Sequence, residues 1–227
     1  MENIEKKNTV SSKGQVKKNI IFEGKENGSL KVLFLGNSIT KHSPAPQIGW
    51  NGNWGMAATE LEKDYVHICE KAITSRHEDA SFCIVQGAEW EWKYKAENIC
   101  DLFEEAHNFR PDVIISFLSE NVPEDYIEKD SFIKALHDFH NYLSAGNQDV
   151  GIIVVSNFFN NEKKSMYLKE YCEIYNATFV YISDLILDEN NLASMYEHEG
   201  VRIHPGDLGM KLIAERIIDA FDTINVI

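Results

Sequence analysis

Basic residues are scarce in this chain: 22 Lys and Arg stand against 36 Asp and Glu, a formal net charge of -14. Binding to a phosphate backbone rests on Lys and Arg displacing counterions, so nucleic acid is not an expected partner. The acidic excess reads as a solubility feature. Long apolar runs are also lacking. No stretch approaches the roughly 20 residues of a membrane-spanning helix, so no membrane partner is expected. Cysteines are few, and Cys69, Cys83, Cys100 and Cys172 form no Cys-x-x-Cys pair. That spacing excludes a zinc framework and argues for reduced thiols in or near the core. Residues 1–19 are polar and bear lysines, with neither an apolar core nor a small-residue cleavage site behind them. They do not read as a signal peptide, and the expected compartment is the cytoplasm.

What is present is an ordinary globular balance, 44% hydrophobic and 26% charged over 227 residues, which suits one domain. Apolar runs rich in β-branched or aromatic residues recur at 31–35, 81–85, 112–118, 150–156 and 178–182. Between them, residues 66–73, 96–109, 132–143, 166–175 and 208–221 carry apolar side chains at helical spacing. Continuously apolar strands alternating with helices predict a mainly parallel sheet covered on both faces. The expected fold class is α/β, a three-layer α/β/α sandwich with a five-stranded sheet. Residues 1–30 form an expected tail with an edge strand around 20–22, and 31–227 form the domain proper. The stretch 41–55, with Pro44, Pro46, Gly49, Gly52 and Gly55, is the longest irregular segment, and loops of such length are usually functional or disordered.

In parallel sheets, ligands bind beyond the carboxyl ends of the strands, and Gly36-Asn37-Ser38-Ile39-Thr40 follows the first core strand. Glycine permits a tight turn there, and Ser38 is suited to attack a carbonyl. On local sequence alone a serine after a strand is more often a helix cap. A phosphate loop fits poorly, because Gly-x-Gly-x-x-Gly and Gly-Lys-Ser/Thr are both missing. The Gly-x-Ser-x-Gly elbow of α/β-hydrolases is incomplete, since Thr40 stands at its second glycine.

A serine hydroxyl needs a base. His204 is the best placed of eight histidines, because Pro205-Gly206-Asp207 fixes a loop and lets Asp207 cap the final helix. His137 and His140 lie three apart on an expected helix but lack the third group of a metal site, so a solvated or partly buried helix face is the better reading. His67, His77 and His107 have no chemical company in sequence, whereas His42 and His198 lie in loops near the proposed site.

With these blocks in order, the chain resembles the SGNH (GDSL-like) hydrolase family, whose opening block is usually Gly-Asp-Ser-Leu. The resemblance spans residues 31–221 and implies a flavodoxin-like fold with esterase or lipase activity. It makes Ser38 the nucleophile and His204 its base, without metal or cofactor. It further implies an oxyanion hole formed by the Ser38 and Gly87 amides and the side chain of Asn121, from Ser119-Glu120-Asn121-Val122. The family commonly places an aspartate three residues before the histidine, and that position here is Val201. Either Glu199 reaches His204 through a bulge at 201–203, or a backbone carbonyl orients the ring in a Ser-His dyad. The dyad is favoured, because Glu199 lies in a charged segment typical of solvated surface.

Tryptophan faces stack on sugars while amides satisfy hydroxyls, so His42, Trp50, Asn53, Trp54 and Trp90 are the expected substrate contacts. Some of these rings could equally pin the loop to the core. The expected substrate is a short-chain acyl ester, with an acylated carbohydrate as the favoured class. The competing expectations are a catalytically weak relative that binds a carbohydrate or nucleotide, and a flavodoxin-like binding module.

Overall fold

The computed structural model describes residues 19–224. The residues before 19, where a tail was expected, lie outside the described residues. The chain opens with β1 (Ile20–Gly24) and continues through β2 (Lys31–Gly36), β3 (Ser81–Gln86), β4 (Val113–Phe117), β5 (Gly151–Val155) and β6 (Thr178–Val180). They form one six-stranded sheet ordered β1-β3-β2-β4-β5-β6. The apolar runs supply the parallel strands, while β1 pairs antiparallel with β3 along the edge, Ile20 opposite Val85.

The α-helices are α1 (Tyr65–Thr74), α2 (Ala88–Lys93), α3 (Glu104–Phe109), α4 (Lys129–Leu143), α5 (Glu162–Tyr175), α6 (Glu199–Arg202) and α7 (Asp207–Phe221). Side chains alternate across a strand, so each buried strand feeds two cores. Val32, Phe34, Ile84 and Ile115 face α1 and α7. Leu33, Leu35, Val85 and Ile114 face α2, α3, α4 and α5. This is the three-layer sandwich that the alternation of runs predicts.

Two local departures have physical causes. The helix expected over 96–109 is split, because exposed residues 95–98 separate buried Tyr94 from buried Ile99, and a 3-10 turn (Ile99–Phe103) leads into α3. His140 is not on a solvated face. It is fully buried, with Nδ1 2.7 Å from the Tyr171 hydroxyl and Nε2 2.9 Å from Ser116 Oγ. Burial drives its pKa down to about 3, so the ring is neutral. His137 instead stacks on Tyr175 at 3.7 Å, which separates the two histidines chemically.

Candidate active site

The order β3-β2-β4 places the topological switch point at β2, since the chain leaves β2 for one neighbour and later returns to the other. Ligand crevices of doubly wound sheets open at such points. Ser38 stands two residues past the end of β2. The turn that carries it needs Gly36, where an added Cβ would lie 1.9 Å from Thr40 Oγ1 and 3.1 Å from the Phe117 carbonyl. Asn37 is wholly buried and locks the same turn. Its side-chain oxygen accepts from Ile39 N at 3.2 Å, and its carbonyl accepts from Thr40 N and Lys41 N. No helix begins at Ser38, so the capping role of such serines does not apply here. Among the described residues, no acceptor takes its N–H.

From the far end of the chain, His204 comes to this turn. Its Nε2 lies 2.8 Å from Ser38 Oγ, although the two residues are 166 positions apart. The imidazole is set by the backbone around it: His204 N donates to Val201 O at 3.0 Å, and Ala193 N donates to His204 O at 3.0 Å. Phe159 packs edge-on against the ring at 5.3 Å. Burial lowers the His204 pKa to about 4; the Gly200 carbonyl resists the shift and nearby His42 adds to it. Among the described residues, no group meets buried Nδ1 in hydrogen-bonding geometry. The Gly200 carbonyl is the backbone group that favours its protonated form.

Glu199 is not the partner of that nitrogen. Residues 199–202 form the short helix α6 instead of a bulge, and the Glu199 side chain is exposed. The slot three residues before His204 is filled with hydrocarbon: Val201 is fully buried in a cluster with Trp50, Met56, Ala57 and Ala193. Asp207 does not cap α7 either. Gly206 holds the cap position, and the Asp207 carboxylate accepts from Thr59 N and Thr59 Oγ1 at 2.8 and 2.7 Å, tying α7 to the loop before α1.

Of the expected oxyanion donors, Ser38 and Asn121 lie past the carboxyl ends of β2 and β4, but Gly87 is committed elsewhere. Its N–H donates to Gly36 O at 2.5 Å. The β2–β3 ladder simply runs one amide further, since Gly36 already pairs with Gln86. A residue that the sequence did not single out lies at the centre instead. Glu91, on α2, is wholly buried, and its Oε1 accepts from Ser119 N at 2.6 Å and Asn37 Nδ2 at 3.3 Å. Its Oε2 accepts from Asn121 Nδ2 at 2.6 Å. Burial pushes its pKa above the ordinary carboxylate range, against the pull of these donors. Ser119 holds φ at 115°, a conformation costing about 1–3 kcal/mol for a residue with a side chain. Asn157 Nδ2 reaches its hydroxyl at 2.9 Å and also binds the neighbouring carboxylate of Glu120, whose pKa burial raises to about 7.

The aromatic contacts divide. Trp50 is buried, bonds the His42 carbonyl through Nε1 at 3.2 Å and packs against Trp54, so it pins the loop and does not line a crevice. Trp90 is likewise buried, stacked on Phe139 at 5.2 Å in the opposite core. Glu91 follows it in sequence and points the other way. Trp54 is half-buried and donates to Ala58 O. Asn53 is exposed and accepts from Lys41 Nζ at 3.2 Å. His42 is half-buried, its Nδ1 2.6 Å from the Ser43 carbonyl. The loop is therefore ordered from within, and Met56 N ties it to Ser38 O at 2.8 Å.

One group among the described residues has ligand-type spacing for a metal: atoms of Glu23, His67 and Glu70 lie within 4.8 Å of one another. His67 has ample company after all, with Nδ1 2.7 Å from Asp64 and Nε2 3.6 Å from Glu23. Burial alone would lower its pKa, but these carboxylates outweigh burial and raise it to about 10. With His67 charged, it and the carboxylates of Asp64 and Glu23 form an internal ion cluster.

An α/β/α sheet with a serine–histidine pair at its switch point defines the class. No family model matches the chain, and no curated protein matches it. Among solved structures, a variant of Axe2, an acetyl xylan esterase from Geobacillus stearothermophilus, is similar over 88% of this chain and 97% of its own, at 14% identity and TM-score 0.56. A family two carbohydrate esterase from Cellvibrio japonicus is similar over 87% of this chain and 62% of its own, at 18% identity and TM-score 0.56. The chain spans 49% of a two-domain esterase, CEX, active on acetylated mannans, at 16% identity and TM-score 0.54. The particular fold is thus that of the SGNH-type esterases.

Proposed function

We propose that this chain is a serine esterase that hydrolyses a short-chain acyl ester, with acylated carbohydrate as the favoured substrate class. The observation that carries the reading is the 2.8 Å approach of His204 Nε2 to Ser38 Oγ. A hydroxyl at that distance can pass its proton to a neutral imidazole as it attacks, and a ring with a pKa of about 4 is neutral near pH 7.

Ser38 Oγ adds to the ester carbonyl carbon while its proton moves to His204 Nε2. The oxyanion that forms is held by Ser38 N–H and by the Asn121 amide proton not given to Glu91. Collapse expels the alcohol, which takes the proton from Nε2 and leaves an acyl group on Ser38. Water then gives a proton to His204 and attacks the acyl carbon, and collapse returns Ser38 and a carboxylic acid. With no carboxylate on Nδ1, the transient imidazolium rests on the Gly200 carbonyl. The work is that of a dyad.

The carbohydrate assignment rests on fold similarity to esterases described as active on acetylated xylan and mannan, joined to the polar loop at His42 and Asn53. The test is turnover of p-nitrophenyl acetate and of acetylated xylooligosaccharides by the purified chain. Ser38→Ala and His204→Ala should each lose about 10³-fold or more in kcat. Full turnover by Ser38→Ala would end the esterase reading. A second reading, a weakly active or inactive relative that binds a carbohydrate, is favoured by the lack of a carboxylate at Nδ1 among the described residues. It predicts saccharide binding with no acyl-enzyme.

A further inference from the structure

We propose that Glu91 is the positioning residue of the oxyanion-binding side of the site, acting through Asn121; the inference rests on the esterase reading. Three donors from two segments meet on one carboxylate: Asn37 from the turn before the nucleophile, and Ser119 and Asn121 from the turn after β4. These are the ends of β2 and β4, and Glu91 reaches them from the helix after β3. Asn37 adds a direct link between the same two ends, its Nδ2 donating to the Phe117 carbonyl at 3.2 Å.

The consequence for Asn121 is specific. Its residue is exposed, and an exposed asparagine can turn either its oxygen or its NH2 toward a ligand. A carboxylate accepts and cannot donate, so the 2.6 Å contact from Nδ2 to Oε2 fixes which end faces inward. One amide proton is spent on Glu91 and the second is left for the substrate oxygen. The bond from Ser119 N to Oε1 holds the backbone at φ 115°, from which the Asn121 turn departs. A buried carboxylate is expensive, and three donors at Glu91 offset that desolvation. With Gly87 N–H given to Gly36 O, Asn121 carries a larger share of the oxyanion, and its orientation matters more.

The closing experiment is a double-mutant cycle on short-chain ester turnover with Glu91→Gln and Asn121→Ala. Glutamine keeps the shape but aims an NH2 at one of the donors, so Asn121 loses its fixed orientation. Each single variant should lose about 10² to 10³-fold in kcat with KM changed less than about threefold, and the double variant should lose little more than the worse single. Multiplying losses would make Glu91 independent of Asn121 and overturn the proposal. So would an E91Q variant as fast as wild type, or faster, the outcome expected if the charge merely opposed the oxyanion.

A readout independent of turnover separates the two readings. In the wild-type NMR spectrum, the Asn121 side-chain NH2 should show one proton shifted downfield and protected from exchange. In E91Q that pattern should collapse to a free amide. An unprotected pair of equivalent protons in wild type would overturn the proposal even if neither variant folds. A wild type without turnover but with the protected proton would sink the esterase reading and leave the coupling of Glu91 to Asn121 standing.

Discussion

Val201 and Trp50 belong to one apolar cluster from which water is almost wholly excluded, at 0% and 1% exposure. The position three residues before His204, where an acid could address the ring, is taken by Val201 of this cluster, and the His204 pKa is set mainly by burial. An aspartate orienting an imidazole raises its pKa; hydrocarbon beside a buried ring lowers it.

The pH profile follows from this. His204 must be neutral to accept the Ser38 proton, and its pKa is lowered to about 4, so the base form persists well below pH 6.5. The acid limb of kcat/KM for a neutral short-chain ester should therefore fall between about pH 4 and pH 5, checked by stopped-time assays from pH 3.5 to 8. A midpoint at 6.5 to 7 would reveal an anionic partner on Nδ1.

Glu199→Gln should leave kcat/KM within about threefold of wild type, because its side chain is exposed in α6 and does not touch the ring. A loss above about 10²-fold would make it a catalytic residue.

The two buried tryptophans should behave as core. Trp90→Ala should lower stability by about 3–5 kcal/mol in urea unfolding, whereas exposed Trp92→Ala should stay within about 0.5 kcal/mol. Trp90→Phe, which keeps an aromatic partner for Phe139, should recover most of the loss while KM stays near wild type.

How much of this was legible before folding differs by residue. Ser38, Asn121 and His204 sit in blocks whose order along the chain survives in the sheet, because strand ends at a switch point are fixed by topology. The apolar runs likewise became strands, since a strand buried on both faces has no alternation to obscure it. Glu91 was invisible: Ala88-Glu89-Trp90-Glu91-Trp92-Lys93 gives two acids and two tryptophans, and nothing local says which of each turns inward. For Trp50 and Trp90 the sequence left pocket wall and core equally open, an amphipathic ring being suited to both, and the fold puts both in the core. Gly87 failed because its amide is claimed by one more rung of a ladder, and ladder length depends on the neighbouring strand.

The ion cluster around His67 makes a separate prediction about stability. Its folded pKa is raised to about 10, so its contribution is fully present below the unfolded value near 6.5 and lost as pH rises through about 10. The urea midpoint of wild type should fall between pH 7 and pH 10.5 by more than that of His67→Gln. Parallel decline in both would assign the loss to other groups.

The 166 positions between Ser38 and His204 have a consequence for the nascent chain. The nucleophile leaves the ribosome with the first parallel strand, but its base arrives only just ahead of the last helix, after the fifth parallel strand has been made. On the proposed esterase reading, acyl transfer requires a chain made at least through His204 and folded far enough to bring the end of β2 to it, so ester cleavage should report closure of the sheet around Ser38 and His204.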